Sequence, residues 1–463
     1  MELLSASATE LARAIRAKEV SSSEAVEAYL RRIEEINPKL NAVVVVTAER
    51  ARAEAKEADA ALARGSVKGP LHGLPVTIKD AFETAGVIST GGTLGRKAFV
   101  PERDATAVAR LRAAGAIMLG KTNCPELSLA FESDNLVYGR TTNPYDLSRT
   151  PGGSSGGEAA IIAACGSPLG LGSDAAGSIR LPSHYCGIAG IKPTTGRVPR
   201  TGHFPSPDGV TQPLWQVGPM ARRVEDLILV LPIIAGVDWC DPAIVPMPLG
   251  DPAGVKIAGL RVAFYTDNRI FAPTPETAGV VEAAAKALAD AGAVVEEALP
   301  TGIEQTAELT KAVLGGDGGA TVQGLLQAAG TTEMSPLLQR RQKIRTAGKL
   351  PIDEFYRQMT RWQKFQSSML AFFQPYDVII CPANAAPAMP HGTTSDPDKF
   401  LAFMYTLTYN LTGWPGVVVR GGTSAEGLPI GVQVVAHAWK EHVALAVAQH
   451  LERLLGGWQP PPL

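Results

Sequence analysis

Residues 104–122 read DATAVARLRAAGAIMLGKT, and two readings of the second half lead to different folds. The stretch GAIMLGKT at 115–122 satisfies G-x-x-x-x-G-K-[ST], the phosphate-binding loop in which Lys121 and Thr122 would hold phosphate and magnesium. Such a loop needs open backbone amides and a helix running on from the lysine. Here Ala116, Ile117, Met118 and Leu119 have the character of a buried strand, and Pro125 stands where the helix would have to continue. The stretch therefore reads as an amphipathic helix, DATAVARLRAAG, followed by a buried strand, AIMLG.

That alternation extends in both directions. Short apolar runs at 74–79 (LPVTIK), 168–172 (PLGLG) and 187–192 (GIAGIK) are separated by glycine, proline and asparagine. Beyond them come a helix at 224–236, a strand at 260–267, a helix at 275–292 and a strand at 293–298. After a mostly helical span, 301–372, strand texture returns in YDVIICP, GVVVRGG and PIGVQVVAHA, and a helix follows at about 440–455. Residues 1–64 read as helical, with capping boxes at Ser7/Glu10 and Ser21/Glu24 and a short strand, VVVV, at 43–46. Strands alternating with helices predict a layered α/β fold. Because the end of the chain resumes the texture of the middle, one domain over 1–463 is expected: a helical segment (1–64), a catalytic core (65–225), a variable helical region (301–372) and closing strands with a helix (373–463).

The bulk numbers exclude several classes of function. With 43 Lys+Arg against 45 Asp+Glu, the formal charge of −2 gives no field that would gather nucleic acid or acidic lipid. Cys124, Cys165, Cys186, Cys240 and Cys381 are odd in number and never fall in a metal or redox spacing, so neither a disulfide framework nor a zinc site is expected. The longest apolar run, 227–237, is about half of the ~20 residues a membrane span needs. The N-terminus lacks a basic leader, and the expectation is a reduced, cytoplasmic protein. The run QRRQKIR at 339–345 reads as a solvated helix face.

Residues 149–160, RTPGGSSGGEAA, present two serines between glycine pairs. Gly153 to Gly157 satisfies G-x-S-x-G, which would make Ser155 a nucleophile and require a later acid and histidine. His391, His437, His442 and His450 follow, but none stands in a stretch that resembles a catalytic loop. A different set explains more residues: Ser178, after the strand-like PLGLG and a small-residue turn, and Lys79, at the end of the strand-like LPVTIK. A serine needs a base, and lysine serves only when neutral. Unperturbed, it is neutral in about one molecule in 2,500 at pH 7, and a fall of ~3 pKa units on burial, roughly 4 kcal/mol, makes it usable. Leu74, Pro75, Val76 and Ile78 are placed to supply that burial.

Together LHGLPVTIKD (71–80), TPGGSSGGEAA (150–160) and LGLGSDAAGSIRLPSHYCGIAGIKPT (169–194) resemble the amidase signature family. The resemblance continues through GKTNCPELSLAFESDN, TTNPYD, DVIICPANAAP and LTGWPGVVVRGGTSAEGLPIGVQVV, so it covers nearly the whole chain. It implies a central mixed β-sheet covered by helices on both faces and a Ser–cis-Ser–Lys triad. Ser178 is then the nucleophile, Ser154 sits in a cis peptide and relays the proton to Lys79, and Ser155 supports it. The backbone N–H groups of Ala175, Ala176, Gly177 and Ser178 are expected to form the oxyanion hole, with Asp174 and Arg180 bracing the loop. Neighbouring triad oxygens and nitrogen should lie about 2.6–3.2 Å apart. In many members the position of Ala176 is a glycine, which puts the mouth of the hole in question. The resemblance implies no cofactor and no metal, and a monomer or homodimer acting on a small molecule. The expected reaction is hydrolysis of small, apolar, anilide-like amides, with carbamates, urethanes or esters as alternatives. A further alternative is the A subunit of a glutamyl-tRNA amidotransferase, which near-neutral charge does not encourage. The proline-rich loop 201–219 is expected to wall an apolar pocket.

Overall fold

Strand alternation sorts the core. Along Val378–Pro382, Val378 and Ile380 point into one apolar cluster while Ile379 and Cys381 point into another, so both faces of this strand are buried. The same division runs along the neighbouring strand Pro429–Ala436, where Val432 and Val434 join the first cluster and Val435 the second. The computed structural model describes residues 2–206 and 209–463.

Among the described residues, eleven strands form the central sheet: β1 (Val43–Val46), β2 (Pro75–Lys79), β3 (Ile117–Thr122), β4 (Leu169–Asp174), β5 (Ala189–Lys192), β6 (Gln216–Ala221), β7 (Arg261–Phe264), β8 (Val294–Glu297), β9 (Val378–Pro382), β10 (Gly416–Thr423) and β11 (Pro429–Ala436). Their order is β1-β3-β2-β4-β6-β5-β10-β11-β9-β7-β8. The sheet is mixed: β3, β2 and β4 run parallel, as do β9, β7 and β8, and the strands between pair antiparallel. The C-terminal strands β10 and β11 sit in its middle, so both ends of the chain build one sheet, in a single domain flanked by helices.

Both predicted capping boxes close. Ser7 Oγ accepts from Glu10 N–H at 3.0 Å and Glu10 returns a carboxylate to Ser7 N–H at 2.9 Å, starting the helix Ala8–Arg16. The Ser21/Glu24 box does the same for Ser22–Leu40. The segment that matches a phosphate loop is the buried strand β3. Its Lys121 donates to Thr84 Oγ1, Ser89 Oγ and the Phe82 carbonyl, which leaves no cradle for phosphate. No helix among the described residues is long and apolar enough to cross a membrane.

Candidate active site

Because β2 and β4 run parallel, with Ile78 opposite Leu171, their C-terminal ends reach the same edge of the sheet. Lys79 ends β2, and Ser173 and Asp174 end β4. The glycine-rich segment 152–157 then leads into the helix Gly156–Ala163, whose first residues pass under that edge. Its glycines are needed for approach. A Cβ on Gly153 would meet Ala130 O and Glu132 N at 2.7 Å, and one on Gly157 would meet Asn123 N at 2.5 Å.

Lys79 is fully buried, and its Nζ is hydrogen-bonded to Ser154 Oγ at 2.6 Å and to Ser173 Oγ at 2.9 Å. Burial lowers its pKa to about 8, against the opposing pull of Cys124, Asp174 and Glu158. Glu158 itself is pushed up to about 7 by burial while accepting hydroxyl protons from Thr77 and Thr122. The Gly153–Ser154 peptide is cis. Ser155 is buried and bonds the Ser173 backbone through its hydroxyl, while its N–H donates to the Ser178 carbonyl at 3.1 Å, tying the two serine segments together. With its hydroxyl so engaged and no histidine beside it, the elbow reading of Ser155 fails. His437 bonds the Tyr376 carbonyl, and His391 stands 3.8 Å from Glu132.

Two expectations need correction. No hydrogen bond joins Ser154 Oγ to Ser178 Oγ among the described residues: Ser154 Oγ is held by Lys79 Nζ at 2.6 Å, while Ser178 lines the pocket. The N–H of Gly177 does not face an incoming oxyanion, since it donates to Asp174 Oδ1 at 2.7 Å. That bond draws the turn together and requires φ of +111° at Gly177, a conformation that favours glycine. Ala176 keeps a negative φ and contributes a pocket wall, so its methyl is accommodated without backbone distortion.

Asp174 and Arg180 brace this turn from within the core, both fully buried. The carboxylate accepts from Gly177 N, Ile179 N, Arg180 Nε and Nη2, and Asn410 Nδ2. Those donors, led by Arg180, hold its pKa well below the usual carboxylate range despite burial.

Ser178 opens onto a pocket of about 250 Å³ walled by Phe131, Trp215, Val313, Leu314, Val322 and Phe355. Pro205, Val210 and Trp215 come from the 201–219 loop, as expected from sequence; Pro207 and Asp208 of that loop lie outside the described residues. The 339–345 run is not simply a solvated face. In the helix Pro336–Ala347, Leu338, Arg341, Gln342 and Arg345 fall at i, i+3, i+4 and i+7, which turns both arginines inward while Arg340 and Lys343 stay exposed. The Arg341 guanidinium lies 4.9 Å over Phe131 and 5.1 Å over Phe400, with no carboxylate partner among the described residues, and burial lowers its pKa to about 9. Arg345 bonds the Leu314 carbonyl and leaves Nη1 buried and unpaired.

Ser173, His203, Arg341 and Arg345 are absent from the set read in the sequence. The i, i+3, i+4 spacing from Leu338 was a usable signal for the arginines, and Ser173 adjoins Asp174 at a strand end. His203 carried none, being one polar residue in a proline-rich loop.

The mixed sheet, the buried Lys79–Ser154 pair and the pocket serine Ser178 are now in place, and comparison with known proteins gives the family. The Amidase family model matches residues 24–445. The A subunit of the glutamyl-tRNA(Gln) amidotransferase of Roseiflexus sp. (strain RS-1) is 37% identical, over 94% of this chain and 93% of its own. Human fatty-acid amide hydrolase 2 is 34% identical, over 99% of this chain and 91% of its own. The crystal structure of a bacterial aryl acylamidase of the amidase signature family superposes with a TM-score of 0.86 at 25% identity, covering 97% of this chain and 96% of that one. The chain belongs to the amidase signature family of hydrolases.

Proposed function

We propose that the protein hydrolyses the C–N bond of small amides through an acyl-enzyme on Ser178. The observation that carries this is the buried, neutralisable Lys79 at 2.6 Å from Ser154, whose neighbour Ser155 is bonded through its N–H to the carbonyl of the pocket serine, Ser178. Ser178 Oγ attacks the amide carbonyl and its proton passes by Ser154 to Lys79 Nζ, after substrate closes the Ser154–Ser178 gap. The N–H groups of Ala175, Ala176 and Ser178 receive the developing oxyanion; each such donor is typically worth ~3 kcal/mol in the transition state. Lys79 returns the proton through Ser154 to the leaving amine, and water then releases the acid by the same route. Asp174 and Arg180 hold the turn, and Ser155 supports it.

The walls favour an apolar, ring-bearing substrate. Arg341, half-buried over Phe131 and without a carboxylate partner among the described residues, favours an acidic group at the substrate's far end, whereas Arg345 already faces Asp317 on the same pocket wall. Carbamates and esters suit the same nucleophile and remain the alternative chemistry. Similarity to one component of an amidotransferase favours a second reading, as part of a complex, and runs against a monomer or homodimer. A panel of chromogenic anilides, carbamates and esters, each with and without a distal carboxylate, tests the first reading, with native mass and glutaminase assay testing the second. Anilides with the carboxylate should turn over fastest, and Arg341→Leu should erase that preference, by about tenfold to a hundredfold in kcat/KM, as loss of a charged hydrogen bond requires. Equal turnover of all acids and neutrals would remove the anionic end from the proposal.

The pH dependence follows from Lys79. The base acts when neutral, so kcat/KM should be low below its pKa and rise through an apparent pKa near about 8 to an alkaline plateau. A profile flat from pH 6 to 9 would exclude Lys79 as the base.

A further inference from the structure

Behind Lys79 runs a hydrogen-bonded chain that the triad does not use. Ser173 Oγ, 2.9 Å from Lys79 Nζ, is also 2.8 Å from His203 Nε2, and His203 Nδ1 is 2.9 Å from the Pro205 carbonyl. A carbonyl only accepts, so Nδ1 carries the proton. The ring is fully buried, edge-on to Phe82 at 5.0 Å and to Trp215 at 5.3 Å, which fixes its orientation. Burial, with Lys79 close by, lowers its pKa to about 3, so the imidazole is neutral and Nε2 accepts. The sense of every bond is then determined: Ser173 O–H donates to His203 Nε2, and Ser173 Oγ presents lone pairs to Lys79.

We propose that His203 is a positioning residue for the base: through Ser173 it makes the Lys79 amine donate an N–H on that side, leaving the nitrogen lone pair for Ser154. This rests on the reading of Lys79 as base for Ser178. Without the imidazole acceptor, the Ser173 O–H turns onto the amine, and the lone pair is shared between a productive and an unproductive hydroxyl. The other groups facing Lys79 are Cys124, Glu158 and Asp174, with Lys121 acting on Glu158 and Arg200 on His203. None of them offers Ser173 an alternative acceptor. Pro205 and Trp215 also line the pocket, so the loop that walls the substrate is the one that orients the base.

The test is the rate of fluorophosphonate labelling of Ser178 against pH, which needs no knowledge of the substrate. In His203→Leu the alkaline plateau should fall about tenfold, the scale of a misdirected catalytic group. Its acid limb should move about half a unit to lower pH, because the Ser173 hydroxyl now stabilises the neutral amine. His203→Gln, whose amide oxygen can accept the same hydroxyl proton, should recover most of the plateau and return the limb. Ser173→Ala removes the competing hydroxyl itself, so adding His203→Leu in that background should change neither plateau nor limb, which keeps the proposal testable if His203→Leu alone folds poorly. Wild-type labelling in His203→Leu overturns the proposal, as does a fall with an unmoved limb that glutamine does not rescue. Labelling of Ser178→Ala at the wild-type rate would instead sink the nucleophile assignment, whatever His203 does.

Discussion

Ser178→Ala is expected to lower kcat/KM by about 10⁴- to 10⁶-fold, the range seen when a nucleophile that acts as a unit with its base is removed. The folded protein should be unaffected, because the Ser178 hydroxyl has no hydrogen-bond partner among the described residues and faces the pocket. Lys79→Met should cost nearly as much activity, since Ser154 then has nothing to pass its proton to. Yet Lys79→Met should cost little net stability, because taking a desolvated amine out of the core offsets the hydrogen bond lost by the buried Ser154 hydroxyl. The two losses should not add: once the base is gone the serine is no longer activated, so the double variant should match the slower single one. Steady-state kinetics on an active anilide, with thermal melts alongside, decide the matter. Multiplied losses in the double variant would mean that Lys79 and Ser178 work independently, which a proton path through Ser154 to Lys79 does not allow.

What the sequence made legible follows physical range. Ser7/Glu10 and Ser21/Glu24 were readable because a cap is satisfied within four residues, and 117–122 because burial on both faces of a strand leaves a run of apolar residues. Lys79, Ser154 and Ser178 stood out through their glycine and strand contexts, and through a resemblance spanning many blocks. The sheet order was not legible, because nothing local says that β10 and β11 enter between β5 and β9. The same limit hid His203. Its meaning lies in Ser173, 30 residues away, and in Lys79 beyond it, a relation set by how the 201–206 loop packs on the strand ends. Arg341 and Arg345 were misread for a different reason: charge patterning says where cations usually go, and here helical spacing overrides it by placing them on the face of Leu338.

Asp174→Ala should produce the largest loss of stability among single changes at the site. The carboxylate is the only acidic partner that Arg180 has among the described residues, and Arg180 is fully buried, its other bonds going to the Thr406 carbonyl, Gln433 Oε1 and Asn410 Oδ1. Neutral acceptors do not offset a buried charge, so removing one partner should cost about 3–5 kcal/mol. For 463 residues, with unfolding entropy near 2.1 cal/mol/K per residue, that is a fall in Tm of about 3–5 °C. Activity should fall further than stability explains. The same carboxylate accepts from Gly177 and Ile179 N–H, one on either side of Ser178, and without it the turn that carries the nucleophile and its neighbouring amides loses its anchor. At temperatures where the variant is fully folded, kcat should therefore drop by about a hundredfold, as misplacement of a reacting group by about 1 Å would produce. Asn410→Ala removes one donor from the carboxylate and one acceptor from Arg180 but leaves the ion pair, so it should cost about 1–3 kcal/mol and much less activity. If Asp174→Ala lost stability while keeping kcat, the brace would serve the core alone and the turn would hold its shape through Gly177 and the Ser155–Ser178 backbone bond.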